Sequence, residues 1–474
     1  MRQIVAALDL GTSKSIAFVA QKDFSGKLSV LRTETLLSKN AIRRGRVYNS
    51  DETGEIVSKL IRKLNNDPAL QIEKIYVGIG GQSLHTQSFS VKKPVENGTV
   101  SRQLLDSIEE EANRYQPEFD KNLGLVSCEY YADGQLVSNP KGTVASTLEA
   151  RFQLIVGNPC LKLNLEKVFK GKDISVAEYV ISPLATAEAV LTPEEKDSGC
   201  ALVELGDGVT YVSIYKNKAL KYLVTLPLGG LSITKDIRSL NVSEEEAEAL
   251  KIKYGNLFHD SNDSGEVPVS EGLNLSRKIE LRELNWIIEA RTNEIVKNIW
   301  SQIQASGYSQ ALDAGIVITG GGALLRNLPQ YIRNQIEKEV RLAYTKVWIN
   351  QVETQLSPTD SCVVGIAMWG KENCTKEEKG KIQSSFLFGA EEAKETVKKQ
   401  EKNKEKKNVV SPVSHEGISF KDKLKGIFDK GVKIVDKGAT LFTDEDFDNN
   451  TSQPINKRAG TVQSNDNNSV NDKK

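Results

Sequence analysis

Histidine and cysteine are scarce: three of one (His85, His259, His415) and five of the other (Cys128, Cys160, Cys200, Cys362, Cys374) among 474 residues. No histidine stands at a zinc-site spacing from other ligand types. No two cysteines form a CxxC pair. An odd, scattered cysteine set suits a reducing cytosol better than a disulfide framework. The opening MRQIVAALDLGTSK meets Asp9 after a short apolar run, so no signal peptide is expected. Nothing approaches about 18 consecutive apolar residues, so no membrane-spanning helix is expected either. Charge of one sign is also missing, since 63 Lys and Arg balance 63 Asp and Glu. A neutral molecule has no general attraction for nucleic acid, and any charge-driven binding has to be local.

What the chain does have is an ordinary globular composition, 39% hydrophobic and 27% charged, over a length too great for one core. Up to about residue 370 the pattern is mixed α/β. The runs IVAALDLG, SIAFVA, CALVELG, TYVSIY and AGIVITGG read as buried strands ending in glycine turns. ETGEIVSKLIRKL and EEAEALKIKYG read as amphipathic helices. Beyond Gly370 the chain is rich in Lys and Glu, with KKQEKNKEKKN toward residue 408, and reads as a solvated linker. An apolar rhythm returns at 418–442, and the polar remainder is expected to be disordered.

Two distant stretches echo one another: VAALDLGTSKSIAFV near the start and ALVELGDGVTYVSIY from Ala201. Each reads as a strand, an acid, a glycine turn with hydroxyl residues and a second strand, which suggests a duplicated half-fold with a cleft between the copies. A tight glycine turn lets backbone N–H groups approach phosphate oxygens with no Cβ in the way. Thr and Ser hydroxyls add donors, and an acid at the strand end can hold Mg²⁺ through water. The first hairpin offers Asp9, Gly11, Thr12, Ser13 and Lys14; the second offers Glu204, Gly206, Gly208 and Thr210. Either one alone reads more readily as a plain hairpin turn. A third element, ITGGGALLRNL, places Gly320, Gly321 and Gly322 after a strand, where a flat adenine can lie against bare backbone. Together the three loops point to ATP and Mg²⁺.

The order DLGTSK, SPLATAEAVL, ELGDGVT, EAEALK, ITGGGA, CVVGIAMWG resembles the actin-like ATPases, and more narrowly the FtsA family of bacterial cell-division proteins. Supporting stretches are IRRGRVYNSDET, IYVGIGGQSLHTQSF, NPKGTVASTLEARFQLI, LPLGGLSITKDI and SEEEAEALKIKYG, and the likeness runs over roughly residues 1 to 370. It implies a two-lobed actin/Hsp70-like α/β fold with an inserted α/β subdomain in the first lobe, then a disordered linker and an amphipathic helix. The implied bounds are 1–77 with 362–372 for the first core subdomain, 78–163 for the insert, and 164–230 with 310–361 for the second core. The outer subdomain takes 231–309, the linker 373–417, the helix 418–442 and the tail 443–474. It implies that Glu248 and Lys251, in an E-x-x-K helix, meet ribose hydroxyls. It implies also self-association into filaments, contact with the tubulin-like FtsZ and with later division proteins, and a peripheral location on the cytoplasmic face of the cell membrane at the division site.

The chain departs from the family's second phosphate loop, D-x-G-G-G-T-T-D, in having Glu204, Asp207, Val209 and Tyr211 at the first, fourth, sixth and last places. Glu204 is one methylene longer and can still reach magnesium through water. Asp207 adds a carboxylate near the phosphates, which is unfavourable unless it turns away. Near the place of a water-orienting side chain stand only Ser182 and Thr186, flanked by Glu178 and Glu188, so hydrolysis is expected to be slow or absent.

Within 418–442, Phe420, Leu424, Ile427, Phe428, Ile434, Val435, Leu441 and Phe442 fall broadly on one helical stripe. Six lysines, Lys421 and Lys425 among them, outnumber three aspartates. Large apolar side chains opposite a lysine-rich face mark a helix lying in an anionic membrane surface; docking on an apolar groove is the competing reading. Gly426, Gly431 and Gly438 each weaken the free helix by about 1 kcal/mol, so the membrane has to induce it. The family resemblance implies such an anchor as well. A sugar kinase of the same fold needs a catalytic Asp that is not evident here, and an Hsp70-type chaperone needs a β-rich domain after residue 370. A pilus-assembly actin homologue would lack the amphipathic segment.

Overall fold

The run QIVAALDL forms strand β1 (Gln3–Leu10), and its middle residues Val5–Leu8 are buried on both faces. A strand covered on both sides gives a continuous apolar run rather than an alternating one, which is why it was legible. The computed structural model describes residues 3–38, 40–258, 265–271 and 275–376. β2 (Lys14–Lys22) and β3 (Leu28–Leu37) follow antiparallel, and a short ribbon of β4 (Ile42–Arg43) and β5 (Arg46–Val47) leads to helix α1 (Ser50–Leu64). The Asn49 side chain accepts from the amides of Asp51 and Glu52, and Arg62 and Lys63 sit in the last turn, so α1 is closed at both ends. β6 (Lys74–Ile79) then pairs parallel with β1.

A second sheet interrupts this half: β7 (His85–Pro94), α2 (Arg102–Arg114), β8 (Lys121–Ala132), β9 (Gln135–Val137) and β10 (Thr147–Gly157), in the order β7-β10-β8-β9. The chain returns through α3 (Cys160–Phe169) to β11 (Ser175–Ile181), parallel to β6. α4 (Ser182–Val190) and α5 (Pro193–Ser198) carry it to the third sheet. There β12 (Cys200–Leu205), β13 (Thr210–Lys216) and β14 (Ala219–Leu226) repeat the antiparallel meander. Next come α6 (Gly230–Ile237), α7 (Glu244–Tyr254), a ribbon of β15 (Glu266–Glu271) and β16 (Leu275–Glu280), and the long α8 (Leu281–Ala305). β17 (Ile316–Thr319), α9 (Leu328–Ile336) and β18 (Val340–Leu342) complete that half. β19 (Thr345–Ile349) and β20 (Val352–Leu356) return to the first sheet, and α10 (Ser361–Trp369) closes the fold.

The first sheet runs β11-β6-β1-β2-β3-β19-β20 and the third β18-β17-β12-β13-β14. Strands β11-β6-β1-β2-β3 therefore correspond one for one with β18-β17-β12-β13-β14, in order and in direction of pairing. The echo heard in the sequence is thus a duplicated half-sheet. α4 and α10 pack against each other between the two halves, so closely that a Cβ on Gly365 would collide with the Ala185 carbonyl. The insert leans on β14 of the second half: the Leu223 amide donates to Thr86 Oγ1 at 2.9 Å and the Thr225 hydroxyl to the Leu84 carbonyl at 2.7 Å. The Lys221 ammonium pairs with Glu129 at the same seam.

Of the expected linker 373–417, only 373–376 lie among the described residues. They pair with the first sheet, the Cys374 amide donating to Ile4 at 2.8 Å and the Glu73 amide to Cys374 at 2.9 Å. Among the described residues no helix is long and apolar enough to cross a membrane. The expected membrane-binding residues Phe420, Lys421, Leu424, Lys425, Ile427, Phe428, Ile434, Val435 and Phe442 lie outside the described residues.

Candidate functional site

β1 and β12 end alike. The Gly11 amide donates to the Lys14 carbonyl at 3.1 Å, and the Gly206 amide to the Val209 carbonyl at 2.9 Å. A Cβ on Gly11 or on Gly206 would stand 2.8 Å from that same carbonyl oxygen, so both turns exclude a side chain for the same reason. The two turns face each other: a Cβ on Gly208 would sit 2.6 Å from Thr12 Oγ1. Between them opens a cavity of about 590 Å³. Asp9, Gly11, Thr12, Ser13, Lys14, Glu204, Gly206, Gly208, Glu248, Lys251, Gly320, Gly321 and Gly322 all line it.

Thr210 does not, which corrects the expectation that its hydroxyl is a phosphate donor. It opens β13, and alternation along the strand sends Val209 and Tyr211 into the cavity and Thr210 to the opposite face. There it is buried and donates to the Leu228 carbonyl at 2.8 Å.

The acids at the two strand ends line the cavity and are half-buried. Loss of solvent pushes Asp9 up to about 6, partly offset by the Cys362 thiol and by Lys14. Burial, and then the charge of Asp9, push Glu204 up to about 8. Glu204 Oε2 has no hydrogen-bond partner of normal geometry, though the nearby Thr186 hydroxyl offsets part of the rise in its pKa. Two half-buried, poorly solvated carboxyls beside each other, one with an unpartnered oxygen, are suited to a hydrated divalent cation. Asp207 is likewise raised to about 6 by burial, but Lys251 opposes this. The extra carboxylate stays in the cavity and is held on the lysine side of it. Lys251 donates to Glu248 at 2.7 Å, to Thr234 Oγ1 at 2.8 Å and to the Gly230 carbonyl at 2.9 Å, which fixes the E-x-x-K pair against the start of α6.

The third loop turns at Gly320 with φ +88°, where a Cβ would collide with the Leu205 carbonyl. Beside it the cavity is walled by Leu324 and Ile252, which expose apolar side chains. Ser182 reaches the cavity, whereas Glu178 accepts the Trp369 indole N–H at 3.1 Å and Glu188 pairs with Lys196 at 3.0 Å. Sequence reasoning missed Cys362, Ile252 and Leu324. It also missed the glycines at 45 and 80, although IRRGRVYNSDET and IYVGIGGQSLHTQSF were read as part of the resemblance.

Two similarly wired half-sheets, each ending in a glycine turn with an acid, around one cleft, define an actin-like ATPase fold. In keeping with this, the structure of a PilM-PilN type IV pilus biogenesis complex superposes with a TM-score of 0.51 at 14% identity. The match covers 77% of this chain and 97% of that one. The family model for the cell division protein FtsA matches residues 201–365. FtsA of Porphyromonas gingivalis (strain ATCC BAA-308 / W83) is 29% identical over 92% of this chain and 98% of its own length. FtsA of Neisseria meningitidis serogroup B is 27% identical over 81% of this chain and 94% of its own. By sequence, then, the chain is similar to the FtsA cell-division proteins over most of its length.

Proposed function

We propose that this chain binds ATP with Mg²⁺ in the cleft, assembles through its actin-like body, and ties FtsZ to the cytoplasmic face of the cell membrane at the division site. The observation that carries the reading is the facing pair of glycine turns with Asp9 and Glu204 between them, in a chain similar to the cell division protein FtsA. Gly11, Thr12, Ser13 and Lys14 from one turn and Gly206 and Gly208 from the other would cradle phosphates. Asp9 and Glu204 would hold the cation through water, and the unpartnered Glu204 Oε2 supports that fit. Glu248 and Lys251 would meet the ribose. The bare backbone of Gly320, Gly321 and Gly322, with Ile252 and Leu324, would take the base. The bound cation supplies charge neutralisation for the phosphates.

Turnover is expected to be slow or absent. Glu178 and Glu188 are engaged elsewhere, and of the two hydroxyls expected there Ser182 lines the cavity. Attachment to the membrane falls to residues 418–442, whose apolar stripe and excess lysines suit anionic lipid. The filament surfaces would recruit later division proteins.

The test is sedimentation of FtsZ with anionic vesicles in the presence of ATP and Mg²⁺. The full chain is expected to carry FtsZ into the pellet, weakened by salt, and a chain truncated after Gly417 is expected to leave it in solution. Pelleting by both, or by neither, overturns the tether. ATP turnover at rates typical of metabolic kinases overturns the reading of slow hydrolysis.

A further inference from the structure

Tyr211 stands on β13 of the second half, directly across the strand pair from Glu204, yet its hydroxyl contacts the first half. The Gly81 amide donates to Tyr211 Oη at 2.6 Å, across 130 residues of sequence. Three glycines from two separate loops of the first half surround this oxygen. A Cβ on Gly80 would collide with it, and a Cβ on Gly45 would stand 3.2 Å away. Gly81 itself, at φ +124°, is packed on Gly45, where a Cβ would come within 3.0 Å of the Gly45 carbonyl oxygen. Gly45 is the second residue of an Arg44-Gly45 turn with φ of 49° and 72°, the pair of left-handed residues that a tight β4–β5 hairpin needs. The turn is fastened from the phosphate side too, since the Gly45 amide donates to Thr12 Oγ1 at 2.9 Å. A tyrosine whose hydroxyl is satisfied is most often plain core packing. Here, however, the room for the phenol comes from missing side chains on the opposite half, in the wall of the same cavity.

We propose that Tyr211 is a latch: its phenol plugs from the second half into a glycine socket of the first and holds the two halves together across the cleft. It is a positioning residue, and its effect on nucleotide rests on the reading given above. A latch that has to open before the cleft does will retard release more than entry. Burial and the neighbouring Glu204 push the phenol's pKa well up, so it remains a neutral, hydrogen-bonding plug.

The conservative variant Tyr211→Phe keeps the ring and removes the acceptor. In the full chain with Mg²⁺, a fluorescent ATP analogue should dissociate about three- to tenfold faster from Tyr211→Phe than from the natural protein, the range a lost buried hydrogen bond allows. Association should change less than twofold. In the nucleotide-free protein, hydrogen exchange of the peptide spanning Gly80–Leu84 should be faster in the variant. Release within twofold together with equal exchange of that peptide leaves Tyr211 as plain core and overturns the latch. If the natural protein binds no analogue, the nucleotide reading fails; the exchange comparison then decides the latch alone, faster exchange supporting it and equal exchange refuting it.

Discussion

Asp9 and Glu204 show how a single side chain sets a condition on the whole site. Their folded-state pKa values, about 6 and about 8, lie above the usual carboxylate values. A raised carboxyl pKa destabilises the folded protein above the unfolded-state pKa, because the buried group has to ionise. For Glu204 the penalty starts near the ordinary value of 4.5 and is complete above about 8. Glu204→Gln should therefore raise the melting temperature of the nucleotide- and metal-free protein at pH 8.5–9, by several degrees, and much less at pH 5. Thermal melts across that range check it, and an equal gain at both pH values would remove the ionisation argument. Most of the candidate site was legible from residue types at loop positions, because glycine, a terminal acid and a hydroxyl have few other reasons to coincide. Thr210 misled because a motif gives position along a strand but not its face. The reach of Tyr211 was invisible because its partner is remote in sequence; only its departure from the family motif marked it.

At the scale of elements, the strands read from the sequence were those whose apolar runs are buried on both faces, as β1, β2, β12, β13 and β17 are. α1 and α7 were read from helical periodicity and charge. The crossing of α4 and α10 was not, because a close helix approach depends on which glycine faces which carbonyl. Gly365 is the contact: its missing side chain lets α10 rest on Ala185. Gly365→Ala should destabilise the protein by about 1–3 kcal/mol, the usual cost of overpacking, although alanine is the better helix former. A urea titration reads this as a lower midpoint; an unchanged or higher midpoint would mean that the helices separate freely.

Across the whole molecule, the insert is seated on the second half by hydroxyl-to-backbone bonds and one ion pair. Glu129 is held below its ordinary pKa chiefly by the hydrogen bond from Lys221. Lys221 is almost wholly covered while Glu129 is partly open to water, so the coupling between them should be about 1 kcal/mol rather than that of a fully buried pair. A double-mutant cycle with Lys221→Met and Glu129→Gln measures it, and a coupling near zero would leave the seam to the hydroxyls of Thr86, Ser127 and Thr225. The other end of the first sheet receives the segment 371–376. Its Cys374 amide is bonded to Ile4, while Asp9 stands five residues further along the same strand, roughly 17 Å away at ordinary strand rise. The outermost bond of the segment, from the Lys376 amide to the Gln71 carbonyl at 3.0 Å, is made just before β6, so a pull on Lys376 meets the entry to β6 first and β1 only through Cys374. The segment thus staples two neighbouring strands, β1 and β6, at the end of the sheet away from Asp9.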